Sequence, residues 1–265
     1  MYNNKYMGAI MGDIVGSRFE FHNRRSKEFT LFHRKSQFTD DSILTLAIMD
    51  SFNKGIVDEK DALIKNIQEW ARSYPAGGYG QMFKRWIYLD DPQPYHSCGN
   101  GSAMRISPVA YFAKDKEELD RLIDQVTLIT HDHPEGLKGA RVVATATFMA
   151  LHGATKEELR EYIEANYDIN FDYEDLVQNY YFDETCQKSV PQALFCFLIS
   201  ESLEDCVRTA VSIGGDSDTI AAIACSVGAA FYPDPNNLLG QAKELLEELG
   251  DVCDKFGQTC QNHLN

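Results

Sequence analysis

Apolar residues along the chain recur mostly at intervals of three and four, the repeat of a helix with one buried face. Residues 116–131, "KEELDRLIDQVTLITH", place Leu119, Leu122, Ile123, Val126 and Ile129 on that spacing. The pattern repeats in "KDALIKNIQEWARSY" (60–74) and in "TDDSILTLAIMDSF" (39–52), where Thr39 is an N-cap and Ile43, Leu44, Ala47 and Ile48 form the stripe. "PEGLKGARVVATATFMALHG" (134–153) opens with a proline and ends near a glycine, as helices do. Thr155-x-x-Glu158 is a capping box before another helix. Further helices are predicted over 189–200, 203–213, 217–231 and 238–249. Period-two alternation is weak and no strand–helix rhythm suggests a parallel sheet. The stretches 74–101 and 168–188 read as irregular. With neither a repeat nor low complexity, the prediction is one compact all-α domain over residues 1–265.

One predicted helix is unusual. "MGAIMGDIVGS" puts Gly8, Gly12 and Gly16 four apart on one face. Glycine weakens a helix by ~1 kcal/mol relative to alanine, so the stripe points to a place where another backbone comes very close.

The formal charge of −15 argues against direct binding of nucleic acid or an anionic membrane, because phosphates would be repelled unless cations intervened. Much of the acidity has a plainer source in solvated helices such as "KELLEELGD". The seven cysteines, at 98, 186, 196, 206, 225, 253 and 260, are odd in number and include no C-x-x-C pair. No charged and apolar leader opens the chain, and no apolar run approaches the ~18 residues of a membrane span. A reduced, soluble, cytoplasmic protein is expected, with Cys196 and Cys225 as core residues.

Two predicted helix starts concentrate carboxylates. "FTDDSI" carries Thr39, Asp40 and Asp41, and "GGDSDTIA" carries Asp216, Asp218 and Thr219 behind Gly214-Gly215. Each alone reads as a cap with an acidic first turn that complements the helix dipole. A helix start needs only one cap, however. Packed together, the two motifs would gather four carboxylates, which is unfavourable unless cations or protons compensate. Hard oxygen ligands without Cys or His point to Mg2+, Mn2+ or Ca2+ rather than zinc, and the glycine pair would let backbone approach a ligand closely. Gly99-Asn100-Gly101-Ser102 can present successive N–H groups to a phosphate or form an ordinary turn. His131 ends the 116–131 helix and pairs in sequence with Asp132, a dipeptide that metal phosphohydrolases also use. Glu20, in "GDIVGSRFEF", lies just past the glycine-faced helix, and nothing local singles it out.

Taken in order, "GAIMGDIVGSRFEF", "TDDSI", "CGNGSAMRISPVA", "THDHPEGLKGA" and "IGGDSDTIAAIACSVGAAFY" resemble the successive signatures of the ADP-ribosylglycohydrolase family, over roughly residues 7–232. The resemblance implies an orthogonally packed multi-helix bundle with two divalent cations, Mg2+ or Mn2+. It makes Thr39, Asp40, Asp41, Asp216, Asp218 and Thr219 the metal ligands, with Asp41 and Asp216 also counted in the catalytic set. It places Gly99, Asn100, Gly101 and Ser102 along the substrate diphosphate and His131 near the distal ribose. Glu20 falls where many members carry a mobile-loop glutamate, and is expected to activate water or protonate the leaving group. Ser42 stands where threonine is common and keeps the hydroxyl.

The implied reaction is release of ADP-ribose from a modified acceptor by cleavage at the anomeric carbon. An arginine-linked protein is the first acceptor expected, with serine-linked or other small ADP-ribose conjugates as alternatives. Two rival readings are a non-catalytic ADP-ribose-binding or structural relative, and a phosphohydrolase built on His131-Asp132.

Overall fold

In the computed structural model, which describes residues 3–265, α1 (Gly8–Gly16) lies against α13 (Ser217–Phe231) so closely that no side chain could stand between them. A Cβ on Gly8 would lie 2.7 Å from Ala229 Cβ, one on Gly12 2.6 Å from Ala222 N, and one on Gly16 2.6 Å from Asp218 Cα. As numbers rise along α1 they fall along α13, so the pair is antiparallel. The end of α1 therefore meets the start of α13. All of α1 and Ser217 to Ala230 of α13 are buried, which makes this pair the axis of the molecule.

The other helices cover that axis. In chain order they are α2 (Asp40–Asn53), α3 (Lys60–Ser73), α4 (Gln81–Trp86), α5 (Gly101–Met104), α6 (Ser107–Phe112) and α7 (Lys116–Thr127). There follow α8 (Pro134–Leu151), α9 (Lys156–Glu164), α10 (Tyr173–Asn179), α11 (Cys186–Ile199), α12 (Leu203–Ser212), α14 (Leu238–Glu244) and α15 (Gly250–Leu264). α8, α11 and α12 pack on α13, while α2 packs on α1, α3 and α15. Among the described residues there is no β-strand, only an isolated antiparallel bridge between Gly99 and Thr185. The fold is all-α, as the apolar spacing predicts.

Local chemistry sets the boundaries. Thr155 Oγ1 accepts from Glu158 N while Glu158 Oε2 accepts from Thr155 N at 2.7 Å, the reciprocal capping box. Asp115 and Ser202 cap α7 and α12 through the N–H three residues on. Cys196 and Cys225 are fully buried, as expected.

Three expectations need correction. The "irregular" 74–101 and 168–188 stretches contain α4 and α10, helices too short for a periodic stripe to show. The predicted 238–249 helix ends at Glu244, and Glu247 takes φ +52° before α15 begins. That last helix buries Cys253, Phe256 and Cys260 at spacings of three and four, a stripe too thin to read from sequence. α7 stops at Thr127, so His131 follows the helix instead of closing it.

Candidate active site

Asp13 organises the entrance to α2. It faces inward from α1, fully buried, and its carboxylate accepts from Thr39 N (2.8 Å), Thr39 Oγ1 (2.7 Å), Ser42 N (3.0 Å) and Ser42 Oγ. Two of these donors are amides of the first turn of α2, which have no partner inside the helix. Thr39 is the N-cap, accepting from Asp41 N. The cap reading of this motif therefore holds locally, and Asp13 completes it. Asp41 is free to face the middle of the molecule.

The two acidic motifs meet there. Thr219 Oγ1, in the first turn of α13, donates to Asp41 Oδ2 at 3.3 Å. Asp216 is the N-cap residue of α13, yet its side chain caps nothing; instead its Oδ2 accepts from Asn100 Nδ2 at 2.8 Å. Carboxylate oxygens of Glu20, Asp216 and Asp218 lie within 4.8 Å of one another. Asp40 sits half-buried at the edge, its Oδ1 close to the Gly77–Gly78 turn.

These like charges raise one another's affinity for protons. Burial first, and then the Asp216 charge, push Glu20 up to about 7. Burial together with neighbouring carboxylates holds Asp40, Asp41 and Asp218 well above the usual carboxylate range. Burial also raises Asp13 and Asp216, although hydrogen bonds to their charged forms oppose it. Asp41 Oδ1 is buried with no hydrogen-bond donor. An unpaired buried carboxylate oxygen is costly, ~1–3 kcal/mol or more, and a cation satisfies it without a donor. The set is entirely oxygen, so it fits a hard divalent ion.

The glycine-rich loop lies beside this cluster. Asn100 N donates to Glu184 O (2.8 Å) and Gly99 N to Ser97 Oγ (3.1 Å), so both amides are engaged within the protein. Ser102 Oγ donates to Gly136 O at 2.7 Å. The Gly101 and Ser102 amides stand at the first positions of α5, where a helix leaves its N–H groups without a partner of its own. His131 lies beneath: a Cβ on Gly101 would come within 3.5 Å of its Nε2. Its Nδ1 pairs with Thr130 Oγ1 at 2.7 Å, and burial holds its pKa well below the ordinary value. The ring is a neutral floor to the loop, not a charged partner of a helix dipole.

Asp132 points elsewhere. Its Oδ1 accepts from His96 N at 2.7 Å on the partly exposed side of the loop, so the His131-Asp132 dipeptide does not converge on one site. The Gly214–Gly215 pair also differs from expectation. Both take left-handed φ, +73° and +70°, and the space their missing Cβ atoms leave is filled by Arg25 and the Tyr180 ring, not by a ligand.

Four residues at the site escape the sequence reading. Asp13 looks like one polar interruption of an apolar helix. Asn23 and Arg25 lie in a stretch without periodicity. Arg105 ends "GNGSAMR" and looks solvent-bound, yet it is buried, with Nη2 donating to Thr130 Oγ1 (2.7 Å) and Nε and Nη1 unpartnered. Only Asp13 left a signal, as the single carboxylate on a helix with a glycine face.

The fold is thus all-α, built on a glycine-faced helix packed against α13, with a buried carboxylate cluster beside a glycine loop. The profile of the ADP-ribosylglycohydrolase family matches residues 5–262, and the chain belongs to that family. It is 25% identical over 303 residues to mouse (Mus musculus) ADP-ribosylhydrolase ARH3, covering 85% of this chain and 82% of that protein. It is also 25% identical over 252 residues to the ADP-ribosyl-[dinitrogen reductase] glycohydrolase of Rhodospirillum rubrum, covering 86% and 84%. A solved structure described as an ADP-ribosylglycohydrolase-related protein complex shares the fold, with a TM-score of 0.72 at 21% identity over 98% of this chain and 99% of that one.

Proposed function

We propose that this enzyme frees ADP-ribose from a modified acceptor by hydrolysing the bond at the anomeric carbon of the distal ribose. The observation that carries the reading is the Thr219–Asp41 contact, which closes the first and last acidic motifs around an unpaired buried oxygen. Asp40, Asp41, Asp216 and Asp218, with the hydroxyls of Thr39 and Thr219, would hold two divalent cations, Mg2+ or Mn2+. Such ions would supply the positive charge that orients the ribose hydroxyls and polarises the attacking water.

The protein's own groups do the rest. The Gly101 and Ser102 amides offer donors to the diphosphate, and the neutral His131 ring supports that loop from below. The Asn100 side chain is assigned to Asp216, whose orientation it sets. Breaking the glycosidic bond builds oxocarbenium-like charge, which the surrounding carboxylates stabilise. Glu20, whose carboxylate lies within 4.8 Å of those of Asp216 and Asp218, is placed to take a proton from water or give one to the leaving group.

The family match from 5 to 262 supports treating the chain as one domain. All seven cysteines are free, which supports a reducing compartment such as the cytoplasm. Among the described residues no helix is long and apolar enough to cross a membrane. The charge of −15 favours an ADP-ribosylated protein or small conjugate over nucleic acid. An arginine-linked protein is the first acceptor to assay, beside a serine-linked one.

The test is ADP-ribose release from defined arginine- and serine-linked peptides with Mg2+, Mn2+ or EDTA. Release should need a divalent ion and vanish in Asp216→Ala/Asp218→Ala. Glu20→Gln should lower turnover by ~10²-fold or more. Metal-independent release, or full activity in the double variant, would overturn the reading.

A further inference from the structure

Glu20 must be delivered to the carboxylate cluster from an irregular part of the chain. Its carboxylate faces Asp216 and Asp218 within 4.8 Å, and it sits just past a short 3-10 turn, Ser17–Phe19, on an irregular connection that runs to α2. The entropy of that irregular connection favours its leaving the cluster, and without cations so do the neighbouring carboxylates. Something must hold this segment in place.

The side chain of Asn23 does so. Its Nδ2 has two hydrogens: its shortest contacts are Phe19 O (2.8 Å) on one side and Gly215 O (2.9 Å) on the other, with Glu20 O (3.1 Å) and Ser217 Oγ (3.3 Å) close enough to share them. Its Oδ1 accepts from Gly215 N at 3.0 Å. One amide thus ties the backbone at Glu20 to the turn that delivers Asp216 and Asp218. Arg25 adds a second tie, donating to Ile213 O and to Tyr180 O (2.6 Å) from the space beside Gly214. Gly215 can present both its N–H and its C=O to Asn23 because it takes φ +70°, a conformation that strains residues with a Cβ.

We propose that Asn23 is a positioning residue: it fixes Glu20 against Asp216 and Asp218 without touching substrate, and Arg25 secures the same strap. This rests on the catalytic role of Glu20 proposed above. With metal saturating, so that any loosening of the Asp216–Asp218 turn is offset, removing the amide should impair what Glu20 does.

A double-mutant cycle tests this, with ADP-ribose release from the better peptide measured for wild type, Asn23→Ala, Glu20→Gln and the combination, at saturating metal. Single-turnover conditions with excess enzyme extend detection to the slow variants. Asn23→Ala should lower kcat by about 10-fold or more with KM changed less than about twofold, and should have less than about a twofold effect in the Glu20→Gln background. Asn23→Ser, which keeps a short hydrogen-bonding group, should recover part of the loss; it also serves if Asn23→Ala folds poorly. An equal fold-loss in both backgrounds, a rise in KM alone, or unchanged kcat would overturn the proposal while leaving wild-type hydrolysis intact. If the wild type releases no ADP-ribose from any conjugate, the functional reading itself fails, and this inference with it.

Discussion

Replacing Gly12 by alanine puts the link between packing and site to its hardest test. The added Cβ would meet the backbone of α13, falling 2.6 Å from Ala222 N and closer still to the carbonyl of Ala221. Real Cβ atoms essentially never come under 3.0 Å, and no flexible side chain is present to yield. The two helices must part. Overpacking of a core costs typically 1–3 kcal/mol, and contact with backbone on both sides places this case at the upper end. Against it stands the ~1 kcal/mol that alanine gains over glycine as a helix former. The net expectation is a loss of about 2 kcal/mol, ~30-fold in the folding equilibrium. Because the start of α13 carries Asp216 and Asp218, the same separation should weaken Mn2+ binding by at least several-fold. Urea unfolding read against Mn2+ titration calorimetry measures both, with Gly80→Ala, where the added Cβ meets nothing within 4 Å, as the control. A Gly12→Ala protein as stable as the control and binding Mn2+ normally would mean that α1 and α13 are not in backbone contact.

Other expectations follow from the same geometry. Asp13→Ala strands four donors at the start of α2 and should cost about 3 kcal/mol or more, a figure that urea unfolding would contradict if the loss stayed under ~1 kcal/mol. The pH dependence follows from the raised carboxylates. A group whose folded pKa lies above its unfolded value withdraws stability as pH rises through that window, here from the ordinary carboxylate range to about 7 for Glu20, with Asp41 and Asp218 raised in the same direction. Metal-free wild type should therefore be less stable than Asp218→Asn at about pH 8, and the gap should close on acidification; melting curves in EDTA that show a constant gap would refute this. Adding Mn2+ to the wild type at about pH 8 should raise the melting temperature, and Asp41→Asn should abolish most of that rise. Gly215→Ala, whose Cβ would meet the Tyr180 ring at a backbone of φ +70°, should lower turnover well beyond its effect on metal affinity, which separate kcat and calorimetric measurements can show.

Much of the fold was legible because its helices are long and amphipathic. α7 announces itself by its apolar stripe, and the capping box of α9 appears as expected. The short helices α4 and α10 were not legible, since one or two turns carry too few positions for a period to show. At the site, the acidic residues at the starts of α2 and α13 could be named in advance because carboxylates beyond the need of a cap are conspicuous. Asp13, Asn23 and Arg105 could not. Each is an ordinary polar residue in sequence, and its role depends on partners 25 to 194 positions away.

By itself, the sequence determined that the chain is helical, that its first helix offers a bare glycine face, and that hard oxygen ligands cluster at two helix starts. These are local matters of side-chain period, cap chemistry and missing Cβ atoms. Only the tertiary structure decided that the glycine face is met by the backbone of α13. That contact brings the start of α13 to the end of α1, sets Asp41 against Thr219, and leaves one buried oxygen without a donor. Convergence of this kind depends on which surfaces pack together, and packing is decided by shape complementarity across the whole chain rather than by any one stretch of it.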